Sequence, residues 1–258
     1  MSNGLLRVFK TTGLALILGV SMSACAGLSG LGGTSWKEEV LLHDGKIITA
    51  ERFYNLGGYP GYDARERAAL DETVTFNLPN AKSIVWKNDF RDSVAEPNSL
   101  NHFRFDIVDG VPYLATYPAG CIAYNKWGRP NPPQVLLKYA DGQWQRITLA
   151  ELPAVLINKD ANVIVGRPAT SLLKAFYTVA EVNAKNAAIS TPEYKTILRE
   201  PVKGVWAGCG EMVYDGNGGW IGVGWFKKQP TLEACLKYCE REKMPEEFCP
   251  CNSMFKGK

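Results

Sequence analysis

The four cysteines nearest the C-terminus are spaced so that they could do either of two kinds of chemistry. Cys235 and Cys239 stand four residues apart in a stretch of helical character. Their sulfurs therefore share one helix face, about 6 Å apart along the axis. Cys249 and Cys251 flank Pro250. If that segment is extended they also share a face, about 6.6 Å apart. The two spans match, which predicts nested bridges, Cys235 to Cys251 and Cys239 to Cys249. The rival chemistry is a tetrathiolate metal centre. Such centres want chelating pairs, usually with two residues between the thiols. Here Ala234 lies outside both pairs, and the intervening stretches are Leu236-Lys237-Tyr238 and the single Pro250. Disulfides are expected and a metal is not.

Other catalytic constellations are thin. The histidines are His43 and His102, one beside a turn and one opening a strand, and both read as surface or sheet residues. No Gly-x-Ser-x-Gly elbow, metal-binding histidine pair or phosphate-binding glycine loop is present. The carboxylates of Asp89, Asp92, Glu211 and Asp215 could pair for hydrolysis. That carboxylate-pair hydrolase is the alternative functional reading, but nothing in the sequence brings the four together, and turn or strand-edge roles are favoured. No catalytic residue and no cofactor are assigned.

The start of the chain speaks to location. Met1 to Thr12 carries Arg7 and Lys10 and no acid, and Gly13 to Val20 is an unbroken apolar run. A basic start, a short apolar segment and small residues after it make a secretory signal, too short for a stable membrane span. The stretch Met22-Ser23-Ala24-Cys25 resembles the lipobox of bacterial lipoproteins, with Met22 where leucine is usual. The resemblance covers only this segment. It implies cleavage before Cys25, a diacylglycerol on its thiol and an acylated amine, with palmitate-type chains holding the protein to a bilayer. Two or three chains hold durably where one holds only marginally. Ala26 follows in place of the aspartate that would favour inner-membrane retention, so the resemblance points to the outer membrane with the body in the periplasm.

With Cys25 given to lipid, the seven cysteines leave an even six: Cys121, Cys209, Cys235, Cys239, Cys249 and Cys251. An even set in an oxidising compartment reads as disulfides, and Cys121 is left to join Cys209. Cleavage also removes Arg7 and Lys10, so 29 basic residues become 27 against 26 acids, and the net charge falls from +3 to +1. A near-neutral body has no electrostatic footprint for nucleic acid.

The elements that must position these groups are mainly β. Asp-Gly turns join alternating runs at Asp44-Gly45, Asp109-Gly110, Asp141-Gly142 and Asp215-Gly216, and each predicts a hairpin. Further strands are expected over Thr73–Leu78 and Ser83–Trp86. The turns are unevenly spaced, which argues against a propeller. Helices are expected over Ser171–Asn186, from Thr191 to about Leu198, from a cap at Thr231 to about Lys243, and over Asp63–Leu70. The fold class is therefore β-rich α+β. It is an antiparallel meander or sandwich with a small disulfide-clamped helical piece at the C-terminus. The divisions are a signal over 1–24, a lipidated and flexible tether over 25–35, a β-rich domain over 36–226 and a disulfide-rich extension over 227–258.

One loop stands out as a binding surface. Tyr124 to Pro133 combines Tyr124, Trp127 and Arg129 with prolines that stiffen it, and a stiff aromatic loop loses little entropy on capturing a partner. The competing view is that Trp127 plugs the end of the β core. The sequence thus leads to a cell-envelope lipoprotein with a binding or scaffolding role. Its partners are the lipid bilayer and another envelope protein or a glycan.

Overall fold

The computed structural model describes residues 32–58, 66–78, 82–91, 93, 95, 98–204 and 206–256. Cys25, the signal stretch and Asp92 lie outside them. Among the described residues the chain is mainly β, as expected. Strands β1 (Gly33–Leu41), β2 (Ile47–Leu56), β3 (Ala69–Asn77) and β4 (Ser83–Asp89) form one antiparallel meander. Strands β5 (Leu100–Val108) and β6 (Val111–Pro118) are followed by helix α1 (Cys121–Lys126), and β7 (Val135–Ala140) and β8 (Gln143–Ile147) complete a second meander. The two-residue strand β9 (Phe176–Tyr177) joins the free edge of β1 in parallel, and helix α2 (Val179–Ala187) follows it.

Local backbone chemistry explains the hairpins. At Asp109-Gly110 and Asp141-Gly142 both turn residues have positive φ, 52° and 77° in the first, 54° and 79° in the second. That geometry matches the right-handed twist of the flanking strands. Pro112 falls at the start of β6, before β7 begins to pair at Tyr113, so its missing N–H breaks no central ladder.

The two meanders share one apolar core. Val40, Ala50, Val74, Phe76 and Trp86 of the first pack with Leu100, Phe105, Leu114, Val135 and Leu137 of the second. The rings of Phe76 and Phe105 stack with centroids 3.9 Å apart. The Asn162 side chain ties the sheets at one end, bonding Phe105 N–H and C=O and the Leu41 carbonyl. The far face of the second sheet is covered by the irregular segment that supplies Leu152, Leu156, Ala161 and Ile197. The far face of the first stays open, with Ile47 and Phe53 about half exposed. Among the described residues no helix is long and apolar enough to cross a membrane.

The C-terminal piece is built on the hairpin of β10 (Met212–Tyr214) and β11 (Trp220–Gly222). Helices α3 (Val223–Lys227), α4 (Leu232–Arg241) and α5 (Cys251–Met254) pack on it. Asp215 closes the hairpin turn by accepting the N–H groups of Asn217 and Gly219. All three expected disulfides are present: Cys121–Cys209, Cys235–Cys251 and Cys239–Cys249, with Cα separations of 5.2, 5.8 and 6.0 Å.

Several expectations are corrected. β1 begins at Gly33 and Thr34 is buried, so the 25–35 tether ends short of its expected length. Val213, Ile221 and Phe226 pack with the cysteine cluster, so the C-terminal piece starts at the β10–β11 hairpin and not at residue 227. The helix expected from Ser171 starts only at Val179. Thr178 and Glu181 form a capping box there, while Tyr177 is drawn into the sheet beside Glu38. The helix from Thr191 is a single turn, Pro192–Tyr194. Beyond it Ile197 is buried and exchanges backbone bonds with Asn158 and Lys159. Of the helix expected over Asp63–Leu70, residues 63–65 lie outside the described residues, Ala69 and Leu70 lie in β3, and Glu66 bonds Arg167 and the Thr170 N–H. Glu246–Phe248 form a 3-10 turn, Pro250 is helical and Cys251 opens α5, so only Cys249 of the returning segment is extended.

Candidate binding cleft

The loop singled out in sequence splits into two parts with different jobs. Tyr124 lies in α1 and is buried, not offered to a partner. Arg129 reaches back over its ring, with the guanidinium carbon 4.9 Å from the centroid. The same guanidinium donates to the Asn125 side chain at 3.1 Å and to the Cys209 carbonyl at 2.7 Å. Tyr124 and Arg129 therefore fasten the loop to the Cys121–Cys209 bridge, which corrects their assignment as a binding surface. Trp127 is half-buried. Its indole N–H donates to the Asn98 carbonyl at 3.0 Å, and its ring packs on the edge of the shared core. Its ring also faces the guanidinium of Arg146, which lines a neighbouring cleft.

Pro130, Asn131 and Pro132 form one wall of that cleft, which holds about 410 Å³. Gln134 and Leu136 of β7, Arg146 to Leu149 at the end of β8, Glu151 and Leu198 form the rest. Most of its polar groups are already committed. Asn131 accepts the Val202 N–H at 2.7 Å and donates to its carbonyl at 3.1 Å. Gln134 donates to the Glu193 and Thr196 carbonyls and accepts the Leu198 N–H. Glu151 accepts the N–H and hydroxyl of Thr148 at 2.8 and 2.9 Å. These bonds, the backbone one first, hold its carboxyl below the usual range.

Arg146 is the exception. Its guanidinium lies 5.6 Å from the Trp127 ring centroid, and among the described residues no carboxylate stands within ion-pair distance of it. A guanidinium backed by an aromatic face and bordered by proline and aliphatic walls can take a carboxylate in a bidentate grip and cover the rest of the ligand with apolar surface. Sequence reading found this loop by its aromatic and proline content but placed the cation at Arg129. The signal that points to Arg146 is its position on a strand ending beside the loop, which shows only once β7 and β8 are paired.

Of the carboxylates weighed for hydrolysis, Asp92 lies outside the described residues, and Asp89, Glu211 and Asp215 are each held by separate partners. Asp89 accepts two guanidinium hydrogen bonds from Arg91 at 3.0 Å and the Arg91 backbone N–H at 2.9 Å, and Arg91 holds its pKa down. Glu211 pairs with Lys227 at 2.9 Å, which likewise lowers it. Asp215 is a turn cap. The carboxylates that do gather are ones sequence reading passed over. On the inner face of the first sheet, Arg52 bonds Glu72 at 2.6 and 2.8 Å and Glu38 at 3.4 Å. It also donates to the Ile164 carbonyl. Burial pushes both glutamates up, and Arg52 opposes the shift. His102 Nδ1 lies 3.6 Å from Glu72. Burial first, and the Arg52 charge second, hold that imidazole well below its usual range. All four side chains are no more than 1 % exposed, so none meets a substrate from solvent. The strand period signals this cluster: Trp36 and Val40 point inward, so Glu38 between them must as well.

No protein-family model, no curated protein and no solved structure matches this chain.

Proposed function

We propose that this is an exported lipoprotein of the cell envelope with a non-enzymatic binding or scaffolding role. Acyl chains on Cys25 anchor it to the outer-membrane bilayer, and the cleft beside Pro130–Pro132 receives its partner. The observation that carries the reading is the thiol count. Six cysteines are consumed in three disulfides, which suits an oxidising compartment, and Cys25 is the one left over. β1 begins eight residues after Cys25, a contour of at most roughly 28 Å, so the anchor keeps the body near the bilayer.

The partner is a carboxylate-bearing chain, from another envelope protein or an acidic glycan, gripped by Arg146 over the Trp127 face. The buried glutamates and the separately paired Asp89 and Glu211 give no support to the hydrolase alternative.

Metabolic labelling with radioactive palmitate tests the anchor. The wild type takes up label, and Cys25→Ser takes up none and leaves the membrane fraction. An unlabelled wild-type product, or one starting with a free amine elsewhere, overturns it. A photo-crosslinker at Leu149 in intact cells tests the cleft. Arg146→Glu should abolish the crosslinked species and leave palmitate labelling unchanged. An undiminished crosslink in that variant removes the cleft from the proposal.

A further inference from the structure

Two cross-links stabilise a small piece equally well when they lie apart, yet in this piece they touch. The Sγ atom of Cys239, bonded to Cys249, lies 3.5 Å from the Sγ atom of Cys251, bonded to Cys235. The sulfurs of Cys239, Cys249 and Cys251 all lie within 4.8 Å of one another. The bridges are also nested, with sequence separations of 10 and 16 residues. Closing the inner loop within the outer one adds less restraint than an isolated loop of its length would.

The four cysteines differ in exposure as residues. Cys235 and Cys251 are 0 % exposed and Cys239 3 %, whereas Cys249 is only half-buried. Within the quartet, Cys249 is the residue an external thiolate meets first. The sulfur it would set free, that of Cys239, already stands at the 3–3.5 Å separation typical of a near-attack pair with the next bridge.

We propose that the quartet is a thiol–disulfide exchange site, opened at Cys249 by a dithiol partner and relayed through Cys239 to the buried Cys235–Cys251 bridge. The partner's thiolate attacks Cys249 Sγ. The Cys239–Cys249 bond breaks, its electron pair leaves on Cys239, and a mixed disulfide forms at Cys249. The Cys239 thiolate attacks Cys251 Sγ. A Cys239–Cys251 bond forms, the Cys235–Cys251 bond breaks, and Cys235 leaves as thiolate and takes up a proton. The partner's second thiol then attacks its own sulfur in the mixed disulfide and releases Cys249, which is protonated in turn. Two electrons and two protons pass from the dithiol, which ends as a disulfide. This chain ends with one new bridge, Cys239–Cys251, and thiols at Cys235 and Cys249. The rate follows the thiolate fraction of the attacking group. The inference needs neither the anchor at Cys25 nor the cleft.

The test is limiting dithiothreitol on the full chain, followed by an acid quench, alkylation and peptide mapping. The expected singly reduced product carries label on Cys235 and Cys249 and a Cys239–Cys251 bridge. Label on Cys239 and Cys249 with Cys235–Cys251 intact overturns the relay, since the exposed bridge would then simply be reduced. Four thiols of the quartet that become alkylatable only on chelation of a metal overturn it as well, because the cluster would then be a tetrathiolate centre. A Cys249→Ser variant gives an independent reading. The relay predicts Cys239 joined to Cys251 and a free thiol at Cys235, and a retained Cys235–Cys251 bridge with Cys239 free counts against it.

Discussion

The inner face of the first sheet and the C-terminal piece solve opposite problems. The sheet buries two carboxylates, a guanidinium and an imidazole and still holds together. Its core spans both meanders, from Val40 and Phe76 to Leu114 and Leu137, and is large enough to carry that desolvation. The C-terminal piece has about 45 residues, too few for an adequate core of their own. It buries Phe226 and Tyr238 around sulfur and relies on covalent links. A large core tolerates polar strain, and a small one replaces missing burial with cross-links.

Substitutions should separate the two strategies. The largest effect is expected at Arg52. Arg52→Met leaves Glu38 and Glu72 buried without their cation, and removing one partner of such a cluster costs about 3–5 kcal/mol. A fall in denaturant midpoint of that size, followed by tryptophan fluorescence, is the check. A midpoint unchanged within error would show that the glutamates are neutral in the folded chain. Next comes the Cys235→Ala, Cys251→Ala pair, expected to cost roughly 3 kcal/mol. The loss should stay local, so hydrogen exchange should accelerate over α4 and α5 while both meanders keep their protection. Equal acceleration everywhere would mean that the two regions unfold as one.

A pH series isolates His102, which β5 of the second sheet contributes to this cluster. Its folded-state value is depressed, so below about pH 6.5 the unfolded chain binds a proton that the folded chain refuses, and stability falls as the pH falls. Glu38 and Glu72 are raised, so their contribution runs the other way and grows as the medium is acidified through their raised range toward the ordinary value of 4.5. In His102→Gln only the glutamate contribution remains. The stability gap between variant and wild type should narrow from about pH 7.5 to about pH 5. A constant gap would place the imidazole proton elsewhere.

The smallest effects are at helix caps. Thr178 accepts the Glu181 N–H, and Glu181, held down to about 2 by Lys174 first and the Thr178 N–H second, completes the box. Thr178→Ala should cost about 1 kcal/mol. Thr231 caps α4 in the same way. Thr231→Ala should cost less, because Cys235 and Cys239 hold that helix in place without the cap. Thermal unfolding of the two variants side by side decides whether the disulfides act as this substitute.

Much of the fold was legible from local chemistry. Each Asp-Gly pair marked a real hairpin, because positive φ at a turn is a property of the residues themselves. The nested bridges followed from the periods of helix and strand, even though Cys251 turned out to open a helix. The misreading of Ser171–Asn186 has an equally physical origin. Leu172, Leu173, Phe176 and Val179 carry helical spacing, but the open edge of β1 offered Phe176 and Tyr177 a ladder to join. Propensity yielded to a partner distant in the chain.

The cleft shows the same boundary. The residue types of the Tyr124–Pro133 loop pointed to the neighbourhood of the cleft, yet Arg129 spends its donors on Cys209 and Asn125, and among the described residues Arg146 has no carboxylate partner. Turn positions, strand alternation and cysteine spacing act over a few residues, and their outcome is written along the chain. Which cation keeps its charge for a partner, and which acids are sealed behind Arg52, depends on strands that pair across dozens of residues, and only folding brings those groups within bonding distance.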